Sequence, residues 1–440
     1  MKKINLMLFL ALILPSSLSA LTLSEALDYA VTHNKNVLAA KEKLNAAGGK
    51  VTEARAGFLP SLSAQGSYNY LSLVPAFQVQ APGAGGTTVT RTTYLGANDN
   101  YLYRASLNQT LFAWGKVYNA YSIAKLNREI AEQEYRKSVN ETVYAATNAY
   151  YSSVLAKQLH ELSKESYKRI AEHRKAVAER YAVGAASQFE LLRASVQVSN
   201  FSPAVSKSKN AQEISRISLK NILGMGLGED MSMEDTIPYE PVEYSIDELL
   251  KEAFSMRPEI IQSDIRKKIS RKALSVSRAG NMPVITGSAA YNYQNPFYNR
   301  VEWVENWSAG VMLTFPFFDG FASSGRISQA KSEFRQSEIT DENLKRSIEV
   351  EVRQAHLLLG EAQERIDSQK DNLIQAEESV RIAEISYANG AVTNLEVMDT
   401  QLALTQAKTN YLQALYDYRI ARAALQKASG ENYNREKTTK

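Results

Sequence analysis

RAGFLPSLSAQGSYNY, residues 55–70, recurs as RAGNMPVITGSAAYNY at residues 278–293. Both copies pass from a helical pattern through a proline into alternating polar and apolar residues, as expected for a β-strand with two different faces. The alignment runs without a gap over residues 23–70 and 246–293. An internal repeat of this length indicates a fold built from two similar units.

The repeat continues towards the end of each unit at a shorter offset, because the first copy holds a longer insert. Tyr181-Ala182-Val183-Gly184 corresponds to Tyr387-Ala388-Asn389-Gly390, and Gly224 corresponds to Gly430. We therefore predict a first unit over residues 21–224, a connector over 225–243, a second unit over 244–430 and a polar tail over 431–440. Residues 1–20 are predicted to be a secretory signal peptide, since two lysines precede an apolar run and small residues follow it.

Four strands are predicted, at about residues 61–71, 101–112, 284–294 and 303–315. Strands of about ten residues whose apolar faces end in aromatic side chains are typical of outer-membrane barrels. The aromatic residues expected at the membrane interface are Tyr68, Tyr70, Tyr101, Tyr103, Tyr291, Tyr293 and Trp307. A soluble β-sandwich with one buried face gives the same alternation, so the strands alone leave both folds open. Residues 72–100, rich in Gly, Thr and Ala, are expected to form a long external loop.

The remaining segments are predicted to be unusually long helices. Residues 117–181 contain neither proline nor glycine, and a helix of that length spans about 100 Å. In the last helix, large residues recur every seven positions, which indicates a coiled coil. These residues are Val397, Leu404, Tyr411, Tyr418 and Leu425. A two-helix hairpin that dimerises alone would fit this pattern equally well.

Four strands are too few to close a membrane barrel by themselves, because the smallest such barrels have about eight. An open sheet edge is not tolerated in lipid, where no water can satisfy the free backbone groups. Membrane strands in this chain therefore require association of several copies. Three copies leave room for a water-filled lumen more readily than two.

The duplicated helix–strand–strand–helix–helix units, with a Tyr-x-x-Gly break in each, resemble the TolC family of outer-membrane efflux proteins. Phe112-Ala113-Trp114-Gly115 and Phe317-Phe318-Asp319-Gly320 are similar to that family's strand-to-helix junctions. The resemblance implies a mainly α protein with transmembrane β-strands, whose homotrimer forms a 12-stranded β-barrel continued by a 12-helix coiled-coil tunnel. It also implies a bacterial outer-membrane location with the helices in the periplasm. A periplasmic adaptor and an inner-membrane transporter are the implied partners, in drug efflux or type I secretion.

The same resemblance implies a gate at the periplasmic ends of the helices. Glu396 and Asp399 would ring the closed entrance, and Tyr387 would help to hold it shut against the acid at Glu190. The implied adaptor-docking positions at the helix breaks are Tyr181, Gly184, Ala185, Gly390 and Ala391. Val392 stands where family members often carry a basic residue.

A purely structural interpretation of the same acids is also open. Ser187 with Glu190, and Thr393 with Glu396, have the spacing of capping boxes that begin a helix. Asp399 would then be an exposed helix acid or a partner for Arg193.

The composition excludes several other functions. The 440 residues include no cysteine, and the formal net charge of +4 is too small to suggest nucleic-acid binding. The four histidines lack metal-ligand spacing, and no phosphate-binding loop or nucleophile–base pair stands out. We therefore expect no enzymatic activity, no metal and no cofactor. The alternative to a channel is an exported coiled-coil structural or scaffold protein with a small β-domain.

Overall fold

The computed structural model describes residues 20–431, so most of the predicted signal peptide and all but Glu431 of the predicted tail lie outside the described residues. Contacts divide the chain into two compact units. One holds the residues up to Lys41, Glu134–Pro258 and the residues from Lys345 onward, and the other holds Glu42–Gln133 and Glu259–Leu344. Within residues 20–431, no helix combines the length and the hydrophobicity needed to cross a membrane.

The elements follow the predicted order in two copies. The first copy contains α1 (Leu23–His33), α2 (Lys35–Ala56), β1 (Ser61–Tyr70), β2 (Ala76–Pro82), β3 (Thr88–Tyr94), β4 (Asp99–Phe112), α3 (Lys116–Ala182) and α4 (Gln188–Leu223). The second contains α5 (Ile246–Met256), α6 (Pro258–Arg278), β5 (Val284–Asn295), β6 (Val304–Thr314), α7 (Ala322–Ala388) and α8 (Asn394–Ser429). The predicted mainly α fold, built from duplicated units of helices and strands, is thereby confirmed.

Strands β1, β4, β5 and β6 form one antiparallel sheet in that order, so β1 and β6 lie at its edges. The register sets the apolar residues of neighbouring strands side by side: Tyr68 pairs with Tyr101, and Tyr291 pairs with Trp307. A one-residue slip of a strand would move all of its side chains to the opposite face. Because the apolar residues of all four strands are paired with one another, the sheet has one apolar and one polar face.

The polar face of the sheet carries its own hydrogen bonds. Arg104 Nε donates to Asn292 Oδ1 at 2.7 Å, and Asn292 Nδ2 donates to Asn306 Oδ1 at 2.9 Å. These bonds connect β4, β5 and β6 across the sheet. The face opposite the aromatic residues is therefore an ordered polar surface.

Residues 72–100 differ from the expected irregular loop, because β2 and β3 pair there as an antiparallel hairpin. The run TVTRTTY in β3 is rich in β-branched residues, which favour strands. The glycine and proline content of this segment predicted a loop, but three of its four glycines lie at residues 83–86, between the two strands. The long insert is thus a defined hairpin.

We call the unit that contains residues 134–258 and the residues from 345 onward the helical unit. In it, α8 buries the row of large residues predicted from its heptads. Val397, Leu404, Tyr418 and Leu425 are buried, whereas Tyr411 is only half-buried. Ser166 Oγ of α3 lies 3.0 Å from Thr405 Oγ1 of α8, which places these two helices in contact. The predicted connector packs on the helices, since Ile237 is buried and Tyr418 donates its hydroxyl proton to the carbonyl oxygen of Glu240.

Candidate functional site

Two breaks interrupt the long helices of the helical unit, at residues 183–187 between α3 and α4 and at residues 389–393 between α7 and α8; we call them the helix breaks. Gly184 and Gly390 adopt positive φ angles of 78° and 74°, which favour glycine. The amide of Ala185 donates to the carbonyl of Arg180, and that of Ala391 to the carbonyl of Ser386, both at 2.8 Å. These bonds end α3 and α7 in the same way.

Both predicted capping boxes are present after the breaks. Ser187 N donates to Glu190 Oε2 at 2.9 Å, and Thr393 Oγ1 donates to Glu396 Oε2 at 2.9 Å. Hydrogen bonds from the amide and then the hydroxyl of Thr393 lower the pKa of Glu396 below its usual value. The cap therefore stabilises the start of α8 at neutral pH and is lost only as the pH falls through that lowered pKa.

Asp399 lies one turn further along α8 and is exposed. Among the described residues it makes no ion pair with Arg193, so that predicted partnership is not formed. The carboxylate of Glu396 is held by Thr393, whereas the exposed side chain of Asp399 is not part of a capping box. The two predicted gate acids thus lie on one short stretch of α8 in different environments.

Within the single chain, the side chains of Tyr387 and Glu190 do not bond to each other, and a link between copies stays a prediction. Tyr387 is only 8% exposed, and its hydroxyl has no hydrogen-bond partner among the described residues. The Glu190 carboxylate instead accepts the amide proton of Ser187 at 2.9 Å. The physical reason is that the capping box engages the carboxylate locally, while the tyrosine ring is held among apolar side chains.

The backbones of these two residues are nevertheless linked to the opposite helices. Arg180 Nη1 donates to the carbonyl oxygen of Tyr387 at 2.9 Å, at the end of α7. Asn394 Nδ2 donates to the carbonyl oxygen of Glu190 at 3.3 Å, and Asn394 Oδ1 lies 2.6 Å from His173 Nε2. The connection between the two helix breaks therefore runs through Arg180, His173 and Asn394.

Tyr387 is the centre of the packing between the breaks. It shares a hydrophobic cluster with Val177, Ala194, Ala383 and Val397. The guanidinium of Arg180 lies over its ring, 4.8 Å from the centroid, and the ring of His173 lies 5.3 Å away. Burial raises the pKa of the Tyr387 hydroxyl; the positive charge of Arg180 opposes this rise and the negative charge of Glu190 adds to it.

Sequence reasoning missed Arg180, His173 and Asn394. Arg180 directly precedes Tyr181 of the first break motif, but its position gives no sign of a partner more than two hundred residues away. Tyr181 differs from its counterpart Tyr387, since it is 42% exposed. Ala185 and Ala391 are also exposed, so both breaks present small side chains on their surface.

The predicted interface aromatics lie on the sheet of the other unit and are exposed in the single chain. The ring of Tyr68 lies 5.0 Å from that of Tyr101, measured between centroids, with the two planes tilted by 35°. Trp303, which precedes β6 and was not among the predicted aromatics, lies 4.6 Å from Tyr293 and 5.9 Å from Tyr103. Trp303 is the first residue of the strand predicted at residues 303–315, and this place in an aromatic-ended strand was the available signal.

Sequence and structure comparisons find similar proteins among secretion proteins and outer-membrane channels. The chain is 23% identical over 426 residues to the proteases secretion protein PrtF of Dickeya chrysanthemi, covering 93% of this chain and 89% of that protein. It is 22% identical over 191 residues to outer membrane protein TolC of Vibrio cholerae, covering 42% and 44% of the two chains. The fold is similar to that of the CmeC outer membrane channel of Campylobacter jejuni, with a TM-score of 0.77, 16% identity and coverage of 95% and 88%.

A family model described as outer membrane efflux protein matches residues 26–225 and 249–431, which include both repeated units. The two matched segments together cover most of the chain. The protein therefore belongs to the outer membrane efflux protein family.

Proposed function

We propose that three copies of this chain form a passive exit duct through the outer membrane. The observation that carries the proposal is the four-stranded sheet: β1 pairs only with β4 and β6 only with β5, so within residues 20–431 each of these two strands leaves its outer edge unpaired. In lipid, these edges must pair with other copies, because unpaired backbone groups there cost several kcal/mol each. Pairing β1 of one copy with β6 of the next closes a ring, and three copies supply twelve strands.

As a member of its family, the protein is located in the bacterial outer membrane, with its helices in the periplasm. We expect the chain purified from outer-membrane fractions in detergent to have the mass of three protomers, measured by light scattering. A single copy that stays soluble without detergent would contradict the duct and favour the exported scaffold protein.

The duct needs partners because the sequence offers no nucleotide-binding motif that could supply energy. We propose that a periplasmic adaptor and an inner-membrane transporter dock at the helix breaks and open the entrance there. The relative PrtF is named for protease secretion, which supports a secretion role, while the family description supports efflux. Both roles use the same duct and differ in the partners that dock.

Docking can be tested with a photoreactive residue at Ala185 or Ala391, both of which are exposed. Crosslinking in cells followed by mass spectrometry should identify an adaptor, and its class distinguishes secretion from efflux. The matched control is Thr90 of the β2–β3 hairpin, which is exposed but lies outside the helical unit. Equal capture of the same protein from Thr90 would contradict docking at the breaks.

Neutralising the acids after the second break should change how the duct handles cations. Three copies of Glu396 and Asp399 would hold six carboxylates near one axis, which attracts cations. For Glu396→Gln with Asp399→Asn, we expect an altered single-channel conductance and about tenfold weaker block by divalent cations in planar bilayers. Glutamine still fits the capping box, so α8 keeps its start while the charge is lost.

The control for this pair is Asp371→Asn, which removes an exposed acid from α7 well before the break. It should leave conductance and cation block as in the wild type. If recordings of the double variant also match the wild type in both properties, the acids do not form a gate.

A further inference from the structure

The helical unit contains a cavity of about 170 Å³ that lies apart from the helix breaks. Residues of α1, α3 and α8 line it, with Leu27, Tyr144 and Tyr151 forming the apolar and aromatic wall. Arg419, Arg422 and Lys427, all on α8, supply its positive charge. A cavity of this size accommodates a group of a few heavy atoms.

Two of these cations are held by aromatic side chains rather than by carboxylates. Arg419 Nε donates to the hydroxyl oxygen of Tyr151 at 2.9 Å, and its guanidinium lies 4.9 Å from the centre of the ring. The ammonium of Lys427 lies 5.2 Å from the centre of the Tyr144 ring. Neither cation makes an ion pair with a residue in the described part of the chain, although both are half-buried.

The positive charge of the third residue, Arg422, is only partly balanced by nearby negative charge. Arg422 hydrogen-bonds to Tyr244 and lies within electrostatic range of Glu240. Glu431 is the one acidic side chain among the residues that line the cavity, and it has interactions of its own. Three half-enclosed cations thus face a single lining carboxylate. Charges removed from water are costly unless an opposite charge accompanies them.

The internal repeat supplies a comparison within the same chain. At the corresponding positions of α4, 206 residues earlier, Arg419 becomes Glu213 and Lys427 becomes Asn221. The counterpart of Arg422 is Arg216, whose Nη2 lies 3.7 Å from a carboxylate oxygen of Asp230. The first copy of this helix end therefore carries its own negative charges. The excess of positive charge on α8 is not a requirement of the repeated fold.

We propose that this cavity binds a small dianionic oxyanion, either a phosphate group or a dicarboxylate. Arg419 donates from Nε and Nη2 to Tyr151, which leaves its Nη1 to donate to such oxygens. Arg422 and Lys427 add two further positive charges. The bound group would join α3 to α8. This site is independent of the proposed duct and of its gate.

The test is isothermal titration of the full-length protein in detergent with inorganic phosphate, and separately with succinate, at constant ionic strength. We expect saturable binding of one oxyanion per chain. Arg419→Gln and Lys427→Gln should each weaken it about tenfold or more, because each removes one charged contact. The matched control, Arg216→Gln in the first copy, should leave the affinity unchanged.

Binding of phosphate alone or of succinate alone identifies the oxyanion. Absence of saturable binding of both, or equal weakening by Arg216→Gln, overturns the proposal. If Arg419→Gln does not fold because the contact with Tyr151 is lost, Lys427→Gln decides alone, since Lys427 makes no hydrogen bond to a described side chain at this site.

Discussion

Gly224→Ala should lower the free energy of unfolding by about 2–4 kcal/mol, because this position combines two separate constraints. Gly224 ends α4 with φ at 78°, in the left-handed region that residues with a Cβ avoid. A Cβ there would also lie 2.6 Å from the carbonyl oxygen of His33, at the end of α1. Backbone atoms of His33 cannot move aside as a flexible side chain could, so α1 and α4 would have to separate.

The matched control is Gly184→Ala at the first helix break. Its φ is also 78°, but a Cβ at Gly184 would meet no atom within 4 Å. We therefore expect a loss of only about 1 kcal/mol, from the backbone conformation alone. Thermal unfolding of the detergent-solubilised proteins, followed by circular dichroism, compares the two. Equal shifts for both variants would show that the close approach to His33 contributes nothing.

The sequence predicted those helices and strands whose residue pattern is visible within one short segment. Period-two alternation located the four strands of the sheet, and the heptads of α8 identified the row of large residues that the structure buries around Val397 and Leu404. The hairpin of β2 and β3 was missed because glycine and proline in the insert concealed the alternation in residues 88–94. Composition averages over a segment, whereas pairing depends on the order of its residues.

The sequence predicted less at the helix breaks, where the important contacts join residues far apart in the chain. The capping-box interpretation of Glu190 and Glu396, which the sequence left open beside the gate, is confirmed, and it was visible because each partner lies three residues away. The bond from Arg180 to the carbonyl of Tyr387 depends on how α3 packs beside α7. A backbone acceptor has no sequence signature, because every residue carries a carbonyl group.

Tyr387→Ala should both destabilise the region between the helix breaks and make the duct leak. The ring packs with Val177 and Val397 and lies beneath the guanidinium of Arg180. Removing a buried aromatic ring of this kind costs about 3–5 kcal/mol. Because Arg180 also holds the end of α7, its displacement would free that end. Cells carrying this variant should become more sensitive to vancomycin.

Tyr387→Phe separates packing from hydrogen bonding, since it removes only the hydroxyl. That hydroxyl is buried without a partner among the described residues, so its loss should be nearly neutral or slightly stabilising. We therefore expect wild-type vancomycin sensitivity and wild-type conductance in planar bilayers for this variant. If the phenylalanine variant leaks as much as the alanine variant, the hydroxyl must bond to another copy of the chain in the closed duct. In that case the entrance is held shut by a hydrogen bond between protomers, and the packing around Arg180 is secondary.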